Sequence, residues 1–135
     1  MRMTTPETPG KQETSLNTKI NIPLRGEIWN VNLDPTVGAE IKKTRPALVI
    51  SSDAVGRLPI KLVAPITEWK QGYAGNIWHI KIDPDNQNNL GKVSVIDVLQ
   101  IRGLDYQRFI KLIGKASAQI IEEVATALAA VVESQ

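Results

Sequence analysis

Short apolar runs cut apart by turn-forming residues, with one helical pattern at the end, constrain this chain more than anything else in it. Trp29, Val31 and Leu33 alternate with Asn30 and Asn32, the two-residue period of a half-buried strand. Asp34-Pro35 ends that run and Gly38 allows a bend. Ala47-Leu48-Val49-Ile50 is continuously apolar, too short for a helix, and bounded by Pro46 and Ser51-Ser52-Asp53. It reads as a more central strand with Pro46 at its first position. Ile60 to Ile66 predicts a third strand, Asn76 to Ile82 a fourth, Lys92 to Gln100 a fifth and Phe109 to Gly114 a sixth. The cluster from Asp83 to Asn89 is a turn or loop. After Gly114 the period changes: Ile120, Ile121, Val124, Leu128, Val131 and Val132 recur at helical spacing. Ser117 is placed to cap that helix, its hydroxyl accepting from an otherwise orphaned amide. Five or six short strands followed by one helix, with no repeat and no strand–helix alternation, point to a mainly β fold: a small curled sheet or barrel with a C-terminal helix.

A chain of 135 residues fits one domain and can bury a core without covalent staples. Residues 1–20 are rich in Thr, Pro, Lys and Glu and are expected to form a flexible tail, leaving 21–135 as the single domain. With no cysteine, disulfides and thiolate metal sites are excluded, which suits a reducing compartment. The opening residues lack the apolar segment of a signal peptide. No run reaches the roughly 18 apolar residues of a membrane helix. A formal charge of +2 and a pI near 9.0 are too mild to argue for nucleic acid alone.

Elimination narrows the chemistry. His79 is the sole histidine, so a two-histidine ribonuclease mechanism within one chain is impossible, and its place in Trp78-His79-Ile80 suits an ordinary strand residue. Asp83 and Asp85 superficially resemble a calcium loop, but Asn88 stands where glycine is required and Ser94 where glutamate is required. Phosphate-cradling glycine motifs and nucleophile elbows are absent. What remains is the polar density of Glu40, Lys42, Lys43, Thr44 and Arg45, beside Asp34 and Thr36. From composition alone that is a solvated hairpin loop. Arg45 opens one strand and Thr67 ends another, so the two can meet beside a phosphate if those strands are neighbours.

Arg25-Gly26-Glu27-Ile28-Trp29, Leu33-Asp34-Pro35-Thr36, Gly38-Ala39-Glu40, Thr44-Arg45-Pro46 and Pro65-Ile66-Thr67 occur in an order and spacing that resemble the MazF/PemK family of bacterial toxins. Ser94-Val95-Ile96 and Gln100-Ile101-Arg102-Gly103-Leu104-Asp105 are similar to that family's next signature, and the likeness runs from Leu24 to Val132. The resemblance implies an SH3-like barrel of the MazF/PemK/CcdB type, homodimeric and cytoplasmic. It also implies a cofactor-free, metal-independent endoribonuclease that cuts single-stranded mRNA. Arg45 and Thr67 fall on positions the family uses for catalysis, and Glu40 on an acidic position, acting as base or, more in keeping with its place, orienting Arg45 by a salt bridge. Substrate contacts would come from Thr36, Lys42, Lys43 and Thr44 in the first loop and from Trp69 and Tyr73, whose rings can stack on unpaired bases. The implied partner, besides RNA, is an antitoxin whose acidic tail lies in a basic RNA groove containing Lys42, Lys43 and Arg45.

One departure stands out. Some relatives carry a carboxylate just before the glutamine that corresponds to Gln100, whereas this chain has Leu99. Asp97 lies on the same strand face, about 7 Å away, and is not assigned a catalytic role on that ground. Gln100 and Arg102 suit strand geometry or a dimer interface. The alternatives are a non-catalytic toxin of the CcdB type, an SH3-like peptide-binding module, and a degenerate member of the family. A CcdB-type protein would not need the Arg45/Thr67 pair, and the module is disfavoured by an aromatic content of 4%, thinly spread.

Overall fold

The computed structural model describes residues 22–134; the expected tail at 1–20 lies outside them. Seven strands form one strongly bent antiparallel sheet: β1 Glu27–Asn32, β2 Thr44–Val49, β3 Ile60–Glu68, β4 His79–Ile82, β5 Ser94–Asp97, β6 Arg102–Asp105 and β7 Phe109–Lys115, followed by helix α1 Ala118–Val131. The order across the sheet is β4-β5-β3-β2-β1-β7, with β6 also pairing with β3.

The continuous apolar run at 47–50 has a simple cause. Side chains alternate faces along a strand, and here both faces are covered. Ile28, Leu48, Ala64 and Ile66 join a core shared with Val124 and Ala127 of α1. Trp29, Val31, Ala47, Val49 and Val63 form a second core with Leu33 and Leu104. α1 begins where expected: the Ser117 hydroxyl accepts from the Ile120 amide at 3.2 Å. Replacing Ser117 with alanine is expected to cost about 1 kcal/mol, read as a lower melting temperature with no change in the far-ultraviolet spectrum of the folded state.

Several boundaries differ from the sequence expectation. β2 starts at Thr44, so Pro46 is its third residue and sits opposite Asn30 of β1. It is tolerated because β2 meets β3 only from Ala47 onward, leaving one side of Pro46 without a ladder to interrupt. The fourth strand loses Asn76 to Trp78 to a turn closed by the His79 amide on the Asn76 carbonyl, 3.2 Å. The fifth is Ser94–Asp97 alone, since Val98–Gln100 coils into a 3-10 turn capped by Asp97. β6 was not expected, because Arg-Gly-Leu-Asp holds one large apolar side chain; the ladder to β3 fixes it instead.

Pro65 marks the seam that shapes the site. β3 pairs with β6 over Ile60–Val63, with β2 over Val63–Pro65, and with β5 over Ile66–Glu68. Pro65 therefore falls between the β6 and β5 ladders, where its missing amide proton interrupts neither. Beyond it β3 follows β5 and leaves β2, which stays with β1 through Val31–Arg45 and Asn32–Thr44. The ends of β2 and β3 consequently part.

Candidate active site

A cavity of about 460 Å³ occupies that parting, and both Arg45 and Thr67 line it. The β2–β3 ladder ends at Ala47–Pro65, so Arg45 and Thr67, each two residues further on, border the cavity from the two parting strands. Arg45 is half-buried, and its guanidinium is aimed by its own Nε, which donates to the Lys42 carbonyl at 3.2 Å. Two phosphoryl oxygens fit the planar fork that remains.

The first loop is held from several sides. Asp34 Oδ1 accepts from the Lys43 amide at 3.1 Å and the Thr36 hydroxyl at 3.4 Å. Lys43 adopts a φ of +74°, a left-handed conformation uncommon for a residue with a side chain, which sends the chain back into β2. Gln100 clasps the loop: its Oε1 accepts from the Ile41 amide at 2.6 Å and its Nε2 donates to the Ala39 carbonyl at 3.2 Å. Arg102 donates to the Leu33 carbonyl at 3.0 Å.

Not every expected residue reaches the cavity. Glu40 and Lys42 line it, as does Tyr73, while Thr36, Lys43, Thr44 and Trp69 do not. The salt bridge expected between Glu40 and Arg45 is absent among the described residues. Instead the Glu40 carboxylate turns back on its own loop and accepts from the Val37 amide at 2.8 Å, a shorter reach than the cavity would demand. Trp69 meets Tyr73 edge to face, with ring centres 5.8 Å apart, and Lys81 Nζ lies 5.4 Å from the Trp69 ring. That leaves Tyr73 as the ring presented to the cavity. Three aromatics that look thinly spread in sequence are thus gathered: Tyr73 and Trp78 pack against His79, and Trp69 against Tyr73.

The walls are also less basic than the loop sequence suggests. Lys42, Arg45 and Lys70 are matched by Glu40, Glu68 and Asp97, so the cations are spaced by carboxylates rather than pooled. Asp97 was not assigned to this site, yet it stands here, directly across the β4–β5 ladder from His79. The pairing depends on hairpin register, which the long Asp83–Val93 connection hides from sequence reading. Leu99, 60% exposed, lines a neighbouring cavity of about 480 Å³ with Pro35 and Gln100. No cluster of potential metal-binding side chains occurs among the described residues, and no described helix is long and apolar enough to cross a membrane.

Residues 24–132 match the family model described as PemK-like, MazF-like toxin of type II toxin–antitoxin system. The endoribonuclease toxin ChpB of Escherichia coli (strain K12) is 38% identical over 113 residues, covering 81% of this chain and 93% of that protein. Endoribonuclease EndoA of Bacillus subtilis (strain 168) is 35% identical over 105 residues, covering 77% and 89%. Among solved structures, MazF from Deinococcus radiodurans superposes with a TM-score of 0.72 at 26% identity, over 84% of this chain and 99% of that one. MazE–MazF from the same organism gives 0.66 at 25% identity, over 85% and 100%.

Proposed function

This chain belongs to the PemK-like, MazF-like toxin family of type II toxin–antitoxin systems, and from that premise we propose that it is a metal-independent endoribonuclease cutting single-stranded mRNA in the bacterial cytoplasm. The observation that carries the reading is the meeting of Arg45 and Thr67 in one cavity from strands that part there. RNA supplies its own nucleophile, the 2′-hydroxyl, so the protein must orient the sugar, stabilise charge on a five-coordinate phosphorus and manage two protons. Arg45 donates to the non-bridging oxygens as charge accumulates, and Thr67 adds a neutral donor on the facing strand. Tyr73 offers a ring for a base, and Lys42 and Lys70 offer cations for flanking phosphates, which makes binding weaken with salt. The products are a 2′,3′-cyclic phosphate and a 5′-hydroxyl.

Purified protein incubated with a mixed-sequence RNA in EDTA tests this. Cleavage leaving cyclic phosphate ends supports it, whereas intact RNA at every protein concentration rejects it.

An antitoxin partner follows from the family and from solved relatives such as the MazE–MazF assembly. The alternating charges of the cavity suit a partner tail carrying acidic residues at intervals rather than one acidic block. A homodimer is supported by β3, which is inverted near its start: Lys61 is 2% exposed while Ile60 and Leu62 are 38% and 42% exposed. Apolar side chains facing outward while a whole lysine side chain is buried suit a strand covered by a second copy. Leu62→Asp is expected to shift the mass measured by light scattering from two chains to one; an unchanged dimer would place the interface elsewhere.

A further inference from the structure

Resting on the ribonuclease reading above, we propose that Asp97 is the base that accepts the 2′-hydroxyl proton, with His79 behind it as a positioning residue. Three carboxylates line the cavity, and Glu40 and Glu68 stand at its solvent-exposed rim. Glu40 accepts from the Val37 amide, and the Glu68 carboxylate lies 3.3 Å from the Lys92 ammonium. Leu99 offers no carboxylate at all. Asp97 is the buried member, 8% exposed, and its backbone is fixed twice: by the β4–β5 ladder and by the turn its own Oδ1 caps, accepting from the Leu99 amide at 3.1 Å.

The second carboxyl oxygen is the one left for chemistry. Residues directly opposite in an antiparallel ladder share a face with Cβ atoms about 5 Å apart, so the His79–Asp97 register puts the ring against the carboxyl group. His79 Nδ1 lies 3.1 Å from the side-chain nitrogen of Asn76. With the Asn76 amide nitrogen donating, Nδ1 accepts, and Nε2 is the ring nitrogen left to present an N–H. Nε2 lies 3.6 Å from Asp97 Oδ2, close enough to orient that oxygen but too long for a hydrogen bond that would occupy it. The Tyr73 ring, centred 4.1 Å from the His79 ring, packs against it and keeps the imidazole in this position. The other charged groups around the cavity are the cations of Lys42, Arg45 and Lys70 and the carboxylates of Glu40 and Glu68.

In the reaction the 2′-O–H bond breaks and its proton passes to Asp97 Oδ2. The freed electron pair forms the O2′–P bond while the P–O5′ bond breaks, and the departing 5′-oxygen takes a proton from water. Asp97 then returns its proton to solvent, so the protein is unchanged at the end of the cycle.

Single-turnover cleavage across pH in EDTA tests the assignment, with binding of an uncleavable 2′-deoxy analogue measured in parallel. Asp97→Asn keeps the Oδ1 cap on Leu99 and is expected to lower the cleavage rate about 100- to 10,000-fold, with analogue binding changed by less than about threefold. His79→Leu is expected to lower the rate about tenfold with analogue binding unchanged, and His79→Gln, which keeps an N–H donor where Nε2 stood, to restore most of that loss. Equal rates in His79→Leu and His79→Gln, both folded by their melting curves, would remove His79 from the proposal. If the unaltered protein cuts RNA and Asp97→Asn, folded by its melting curve, cuts within about threefold of it, the base is another group. If the unaltered protein does not cut RNA, both readings fall together.

Discussion

Arg45→Ala is expected to lose about 100- to 1000-fold in cleavage rate, the usual consequence of deleting one preorganised donor to a developing oxyanion. Stability should scarcely move. Arg45 is half-buried at the end of β2, and the hydrogen bond its side chain makes is to the Lys42 carbonyl, three residues away. The separation of the two effects is what makes the variant informative. An inactive protein that melts with the parent has lost chemistry, whereas one that melts early has lost its loop. Arg45→Lys sharpens the point, because it keeps the charge and discards the fork. Its rate should fall between the other two, since a point cation satisfies one oxygen where the guanidinium satisfies two. Thr67→Val should cost less than Arg45→Ala, because a neutral hydroxyl gives a weaker bond to an anion than a guanidinium does. Full activity in Arg45→Ala would mean that the cavity between β2 and β3 is not where phosphorus is attacked.

Gly114→Ala should be the most damaging alanine substitution among the described glycines. A Cβ at Gly114 would stand 2.4 Å from the Gln87 carbonyl oxygen and 2.6 Å from that of Asn88. Both are backbone atoms, so no rotamer change relieves the clash. The loop cannot retreat easily. Asp85 Oδ1 accepts from the amides of Gln87 and Asn88 at 2.8 and 2.7 Å, and the buried Asn88 side chain donates to the Asp83 carbonyl at 2.8 Å. The same loop is sewn to β7 by the Lys115 amide on the Gln87 carbonyl, 2.9 Å, and by Asn89 Nδ2 on the Ile113 carbonyl, 2.8 Å. The acidic cluster that superficially resembles a calcium loop is therefore a self-bonded turn serving as a buttress. Forcing it away from β7 is expected to cost about 3 kcal/mol, the upper end for an overpacked site. In a domain of this size that lowers the melting temperature by roughly ten degrees. Gly72→Ala is the control, because a Cβ there meets nothing within 4 Å. Equal melting of the two variants would show that the loop yields to β7 after all.

Much of the fold is legible in the residues because it follows from local preference and solvent. Alternation at Trp29, Val31 and Leu33, the cap at Ser117 and the helical spacing from Ile120 to Val131 depend on neighbours a few positions away, and they appear where expected, whereas Val132 lies past the helix and is 63% exposed. The conditional statement that Arg45 and Thr67 could meet is also local in origin, since each residue stands at a strand end. Other features are not. β6 carries a single large apolar side chain and exists because β3 offers it an edge. The expected partner of Glu40 was wrong because a carboxylate three residues from an orphaned amide satisfies it before reaching across a cavity.

Composition and periodicity thus determined a mainly β chain closed by one helix, together with a polar first loop bearing Arg45. Strand partners were decided only in three dimensions. Ladder register is a long-range property, set by where each strand's two apolar faces find cover. The exchange of partners at Pro65, which opens the cavity, and the facing of His79 onto Asp97 both depend on it. No window of neighbouring residues contains that information, because the two members of each pair are brought together by the packing of everything between them.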